Sequence, residues 1–253
     1  MVGGATPVLG RARGIALAVA LALLVAYVAA AQSLWAVSSG ADAAIVALLV
    51  LPAYTLAVWL ALPLWRTPFV VLLSGGVSLA VCAFSLDLLG VDSLGNIVKL
   101  ASFATLGFWL LWLFDELWWA ALVAVLIPWV DIWSVATGPT RYVTHEHPGF
   151  FDHVSVSFPL TGEAASINIG PPDIVFFALF LAATDRFRLR VGWTWLAMTG
   201  FLSLTVALVW WLENGGLPAL PAVALGFLIP NADVIWRHAS ETWRARRSAQ
   251  IAK

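Results

Sequence analysis

The sequence predicts an all-α polytopic membrane protein of about eight transmembrane helices, with a short β-hairpin in the loop between spans five and six. Three observations carry that expectation. Of 253 residues, 62% are hydrophobic and 11% charged, and the mean hydropathy is +0.93; a soluble domain is about 45–50% apolar and roughly 25% charged. The apolar residues gather into runs the length of a bilayer crossing, about 17–25 residues. Fifteen tryptophans suit a chain with many membrane–water boundaries, where amphipathic rings collect. Charge this sparse excludes a soluble globular domain and also disorder, which needs low hydrophobicity and high net charge. A net charge of -1 provides no basic field for nucleic acid. Cys82 is the single cysteine, which excludes a disulfide framework or a cysteine-based metal site.

The spans fall near residues 14–37, 43–65, 68–90, 97–114, 117–137, 170–187, 192–212 and 217–236. Span one follows Arg11 and Arg13 and stops at Ser38-Ser39-Gly40. Its basic start and Ala29-Ala30-Ala31-Gln32 also read as a secretory signal with a small-residue cleavage site; the run on through Trp35 to Val37 favours a retained helix. Spans two and three are parted by Arg66-Thr67-Pro68, three and four by Asp92 to Gly95, four and five by Asp115-Glu116. Arg186 to Arg190 closes span six and Glu213 to Gly216 closes span seven. Each break carries charge or turn chemistry.

The segment 138–169 between spans five and six is the long polar one. Val154-Ser155-Val156-Ser157-Phe158 and Ala165-Ser166-Ile167-Asn168-Ile169 both alternate apolar and polar, with Thr161-Gly162-Glu163 between them. That pattern predicts two strands and a turn, leading straight into span six. With the N-terminus inside and eight crossings, eleven Lys and Arg residues fall on the cytoplasmic side and two, Lys99 and Arg141, outside. The asymmetry predicts a multi-pass protein of the cell membrane with both termini cytoplasmic. Arg244-Ala245-Arg246-Arg247 fits a tail lying at anionic headgroups.

Most of the 14 acidic residues fall at span ends or in loops, where interfacial solvation suffices: Asp42, Asp92, Asp115, Glu116, Glu146, Asp152, Glu163, Asp185, Glu213 and Glu241 belong here, and Asp87 and Asp233 read as helix-end residues. Asp131 and Asp173 differ. Asp131 lies in Ile127-Pro128-Trp129-Val130-Asp131-Ile132-Trp133, with no basic residue within nine positions. A carboxylate at such depth costs about 2.5–3.5 kcal/mol on insertion scales and marks function by default. Asp173, in Gly170-Pro171-Pro172-Asp173-Ile174, opens the next span at a similar depth. The two are 42 residues apart on consecutive antiparallel spans, so their carboxyls can meet and share one proton. Such a pair acts as base toward a water and as acid toward a leaving amine. It equally suits a proton relay in a transporter. In the outer loop His145-Glu146-His147 with Asp152-His153 has the residue types of a zinc site, but lacks a helix or strand to fix them; a solvated or pH-sensing loop is the alternative.

The last span opens on Leu217-Pro218-Ala219-Leu220-Pro221-Ala222. A Pro-Ala-Leu at that place, after two spans each holding one aspartate, resembles the presenilin and signal peptide peptidase family of intramembrane aspartyl proteases. Val130-Asp131 stands where the family has Tyr-Asp, and Gly170-Pro171-Pro172-Asp173 where it has Gly-x-Gly-Asp. Gly138-Pro139-Thr140-Arg141 is similar to a presenilin stretch; Phe158-Pro159 and Asp185-Arg186-Phe187 are similar to signal peptide peptidases. The likeness covers residues 120–236 and departs at Val130, which removes a hydroxyl, and at Pro172, which fixes a torsion and removes an N–H.

The resemblance implies an aspartic endopeptidase acting on transmembrane proteins or peptides within the bilayer, with no cofactor and no metal. Asp131 and Asp173 would be catalytic, and Gly170, Pro171, Pro172, Pro218, Ala219, Leu220 and Pro221 would contact substrate. It divides the chain into an N-terminal four-helix part, 1–116, a catalytic part, 117–236, and a basic cytoplasmic tail, 237–253. The mouth of the site would face away from the cytoplasm, as in signal peptide peptidases. The alternatives are a proton-coupled transporter using both aspartates, or an inactive relative that binds transmembrane segments.

Overall fold

The computed structural model describes residues 9–137, 151, 153–163, 166–212 and 217–251, with the backbone alone at 239 and 241–251. The chain forms α1 (Arg11–Ala30), α2 (Ser39–Ile45), α3 (Leu51–Ala61), α4 (Phe69–Leu88), α5 (Asp92–Leu110), α6 (Leu117–Ala136), strands β1 (Val156–Pro159) and β2 (Ser166–Ile169), then α7 (Pro171–Arg186), α8 (Val191–Trp211) and α9 (Leu220–Ile251). A π-helical turn at Val46–Val50 joins α2 to α3, so Ser39–Arg66 is one continuous run. The chain is thus an all-α membrane protein carrying one small antiparallel sheet.

Among the described residues six helices are long and apolar enough to cross a membrane, not eight: Arg11–Ser33, Ser39–Arg66, Phe69–Leu88, Asp92–Leu113, Leu117–Ala136 and Val191–Trp211. The two expected spans that drop out are those opening on Asp173 and on the Pro-Ala-Leu-Pro. Each has a physical reason. α7 has 16 residues, about 24 Å at 1.5 Å per residue, short of the ~30 Å hydrocarbon core. α9 is longer, but Pro230, Asn231 and Asp233 interrupt its apolar face.

Burial explains how a short helix suffices. From Ala178 to Ala183 every side chain of α7 is 0% exposed. A helix covered on all sides needs no match to lipid thickness. α5 approaches it so closely at Gly107 that a Cβ there would clash with the Val175 carbonyl; small residues permit this backbone approach. The far end of α7 is tied to the ends of α3 and α5. Asp185 pairs with Arg66 at 2.7 Å and accepts from the Trp65 indole at 2.8 Å, and Arg186 donates to the Leu111 carbonyl at 2.9 Å. α1, α4 and α6 turn broad apolar faces outward, with Leu23, Val70, Val81, Val125 and Trp129 exposed.

The hairpin forms as expected. Val156 pairs with Ile169 and Phe158 with Ile167 in antiparallel register. Its turn carries Gly162 at φ +71°, a left-handed conformation that glycine adopts freely. A side chain at that position would also strike the Ala36 backbone.

Candidate functional site

Asp131 is carried by α6 one turn beyond Pro128, a proline inside the helix. Proline removes the bond to the carbonyl four residues back and bends the helix. Asp131 is half-buried, while Trp129, Val130, Ile132 and Trp133 around it are exposed. α6 therefore lays one narrow face on its neighbours, and Asp131 lies on it. Val130, where the family motif has tyrosine, is on the outward side at 58% exposure.

Asp173 sits at the third position of α7, after Gly170 as N-cap and Pro171 and Pro172 in the first turn. The first four N–H groups of a helix have no intrahelical partner, so prolines there forgo nothing. The Asp173 N–H closes on the Gly170 carbonyl at 3.2 Å. An acidic residue in a first turn is also favoured by the helix dipole. Pro172 thus departs from the Gly-x-Gly-Asp pattern without disturbing the helix it opens.

The third element arrives from α9. The Leu220 N–H donates to Oδ2 of Asp131 at 3.0 Å, across 89 residues of sequence. The prolines explain why that donor is on offer. Pro218 and Pro221 have no N–H, and the Ala219 carbonyl starts the helix by accepting from Ala222 and Val223. Leu220 is buried, and Pro218, Ala219 and Pro221 are half-buried. Asp131 and Asp173 are near enough to interact electrostatically, and no direct hydrogen bond joins them. Segments that the sequence set 42 and 89 residues apart meet in one place.

Beside Asp173 is a cavity of about 30 Å³, enough to admit a water. Its wall is mostly apolar and includes Leu51, Tyr54, Leu100, Phe158, Ile169 and Phe177. α3 and α5, from the first half of the chain, therefore complete the surroundings of the second aspartate.

Three charged residues differ from their expected surroundings. Asp42, expected to be solvated at a span end, is 2% exposed. Its Oδ1 accepts both the backbone N–H and the hydroxyl of Thr161. Asp87 does stand in the last turn of α4, as expected, but there it pairs with Lys99 at 2.9 Å, with their side chains 9% and 10% exposed, and His153 lies 4.0 Å away. Lys99, counted with the outer loops, is inside α5. Each is a charge that long-range contacts pull inward, which no local pattern announces. Asp233 does keep to the surface, paired with Arg190 and Arg237. His145, Glu146, His147 and Asp152 lie outside the described residues, as do Gly138-Pro139-Thr140-Arg141. Comparison with protein-family models, with curated proteins and with solved structures finds no match for the chain.

Proposed function

We propose that this chain is an intramembrane aspartyl endopeptidase of presenilin and signal peptide peptidase type, hydrolysing peptide bonds within or near transmembrane segments. One observation carries the reading: the Leu220 N–H of the Pro-Ala-Leu-Pro segment is bonded to Asp131 while Asp173 lies in electrostatic range of that same carboxyl. The ordered motifs of the resemblance thus coincide in space.

The chemistry follows from the groups present. In this reading the two carboxyls hold one proton between them. The ionised member takes a proton from a water as it attacks the peptide carbonyl. The protonated member gives its proton to the departing amine. The Leu220 N–H orients Asp131 and stabilises its charge, as a donor to a carboxylate does. No metal or cofactor enters this sequence of steps.

A substrate helix satisfies its own backbone groups in lipid, so its scissile bond must first be unwound. The extended segment regains hydrogen bonds by strand addition. The β1–β2 hairpin supplies one side of that template and the start of α9 the other. The chain crosses the membrane eight times in this reading, with α7 and α9 as short or polar-ended crossings and both termini cytoplasmic. Its substrates then run with their N-termini inside.

The test is expression of wild type, Asp131→Ala and Asp173→Ala with a doubly tagged single-span substrate. Cleavage products with wild type, lost in both variants, support the endopeptidase. Product undiminished in either variant sinks the shared pair. Proton-coupled solute uptake without any product establishes the transporter in its place.

A further inference from the structure

The first half of the chain grips the hairpin through buried polar contacts that packing alone does not require. The Asn96 side chain, 4% exposed on α5, accepts the Ser157 N–H at 2.7 Å and donates to the Ser157 carbonyl at 2.7 Å. That is the pair of bonds a neighbouring strand supplies to one residue of an antiparallel ladder. The carboxamide therefore stands in for a third strand along the inner edge of β1. Its nitrogen also donates to the Tyr54 hydroxyl at 2.9 Å. At the turn, Asp42 takes both donors of Thr161, and the Gly162 N–H donates to the Ala31 carbonyl at 2.8 Å. Between these two points the Tyr27 hydroxyl donates to the Pro159 carbonyl at 2.7 Å. Helices α1, α2, α3 and α5 all contribute.

The grip has a direct line to the site. Ile169, the last residue of β2, pairs with Val156, and the next residue, Gly170, is the N-cap of α7. No loop separates hairpin from Asp173. A one-residue slip in a hairpin turns every side chain to the opposite face, and here it would also draw the start of α7 along the strand direction.

We propose that Asn96 and Asp42 are positioning residues: they fix β1 and its turn to the first half of the chain, and so set the register in which β2 delivers Gly170 and Asp173 to Asp131. The proposal rests on the endopeptidase reading for its consequence in catalysis, while the grip itself is testable without any cleavage.

The experiment uses the full chain in detergent micelles and five proteins: wild type, Asn96→Ala, Asn96→Asp, Asp42→Ala and Asp42→Asn. Hydrogen exchange over residues 156–162 is read first. Asn96→Ala and Asp42→Ala are expected to exchange on the order of tenfold faster there, for the loss of two hydrogen bonds, with α8 unchanged. Asn96→Asp keeps an oxygen to accept the Ser157 N–H but loses the donation to the Ser157 carbonyl, and exchanges at a rate between wild type and Asn96→Ala. Asp42→Asn retains an oxygen that accepts from both Thr161 donors and stays near wild type. The ends of the cleavage products, read by mass spectrometry, come second. Both alanine variants are expected to cut at several adjacent bonds where wild type cuts at one set, a change that mere loss of folded protein does not cause. Unaltered exchange in both alanine variants overturns the grip. Faster exchange with an unshifted product pattern overturns the positioning role. Faster exchange in the variants when even wild type yields no product refutes the endopeptidase reading and upholds the grip.

Discussion

At the scale of single residues, one charge pair lies inside this protein, between Lys99 and Asp87. The Lys99–Asp87 pair is buried on both sides, so removing one member strands the other. Lys99→Met is expected to lower stability by about 3–5 kcal/mol, whereas Asp87→Leu with Lys99→Met loses far less, because no charge is left unpaired. Thermal unfolding of the purified variants in micelles checks the difference, and equal losses for the single and double changes would contradict it. Asp131 and Asp173 stood out in the sequence because they sit in apolar runs far from any basic residue. Asp42, Asp87 and Asn96 did not, since each is close to a span end where solvation is the ordinary state. Their partners lie 119, 12 and 61 residues away, and nothing local to them encodes such pairings. The Leu220 donor was half legible: the prolines marked the place, but not the carboxylate it would meet.

At the scale of elements, the hairpin runs into α7 with no loop between them. The hairpin was readable because alternation with period two and a glycine turn are local signals. The shortness of α7 was not, since an apolar run reads alike whether lipid or protein covers it. Its close packing on α5 yields a test. Gly107→Ala places a methyl group against the Val175 carbonyl and is expected to cost about 1–3 kcal/mol through overpacking. Gly75→Ala, on α4 with nothing within 4 Å, serves as the unclashed control in the same unfolding measurement and is expected to gain about 0.5–1 kcal/mol. Pro172→Gly restores the family pattern at the start of α7. It is expected to leave the helix intact and to lower stability by no more than about 1 kcal/mol, since proline mainly restricts the unfolded chain; a large loss would show that the ring itself is packed in place.

At the scale of the whole molecule, the orientation proposed from the basic residues is open to direct labelling. After replacing the exposed Cys82 with alanine, single cysteines are introduced at Glu163, in the hairpin turn, and at Ser240, on α9. An impermeant maleimide applied to intact cells is expected to label the first and to reach the second only after permeabilisation. The reverse pattern would place the hairpin in the cytoplasm and overturn the proposed topology. The membrane class itself was legible from composition, because it depends on averages that tertiary contacts do not alter. The count of spans depended on the lengths and polar breaks of two helices, and those the averages conceal.

The bond from Leu220 to Asp131 sets a timetable as well as a geometry. The ribosome makes the hairpin-gripping helices first, then Asp131, and Asp173 42 residues later, yet the donor that settles Asp131 belongs to α9. Both carboxyls are thus synthesised before the backbone donor that bonds Asp131. A nascent chain halted before residue 217 holds two aspartates and no finished site. On the proposed function, hydrolytic power waits on the synthesis of α9, which brings the Leu220 N–H to Asp131.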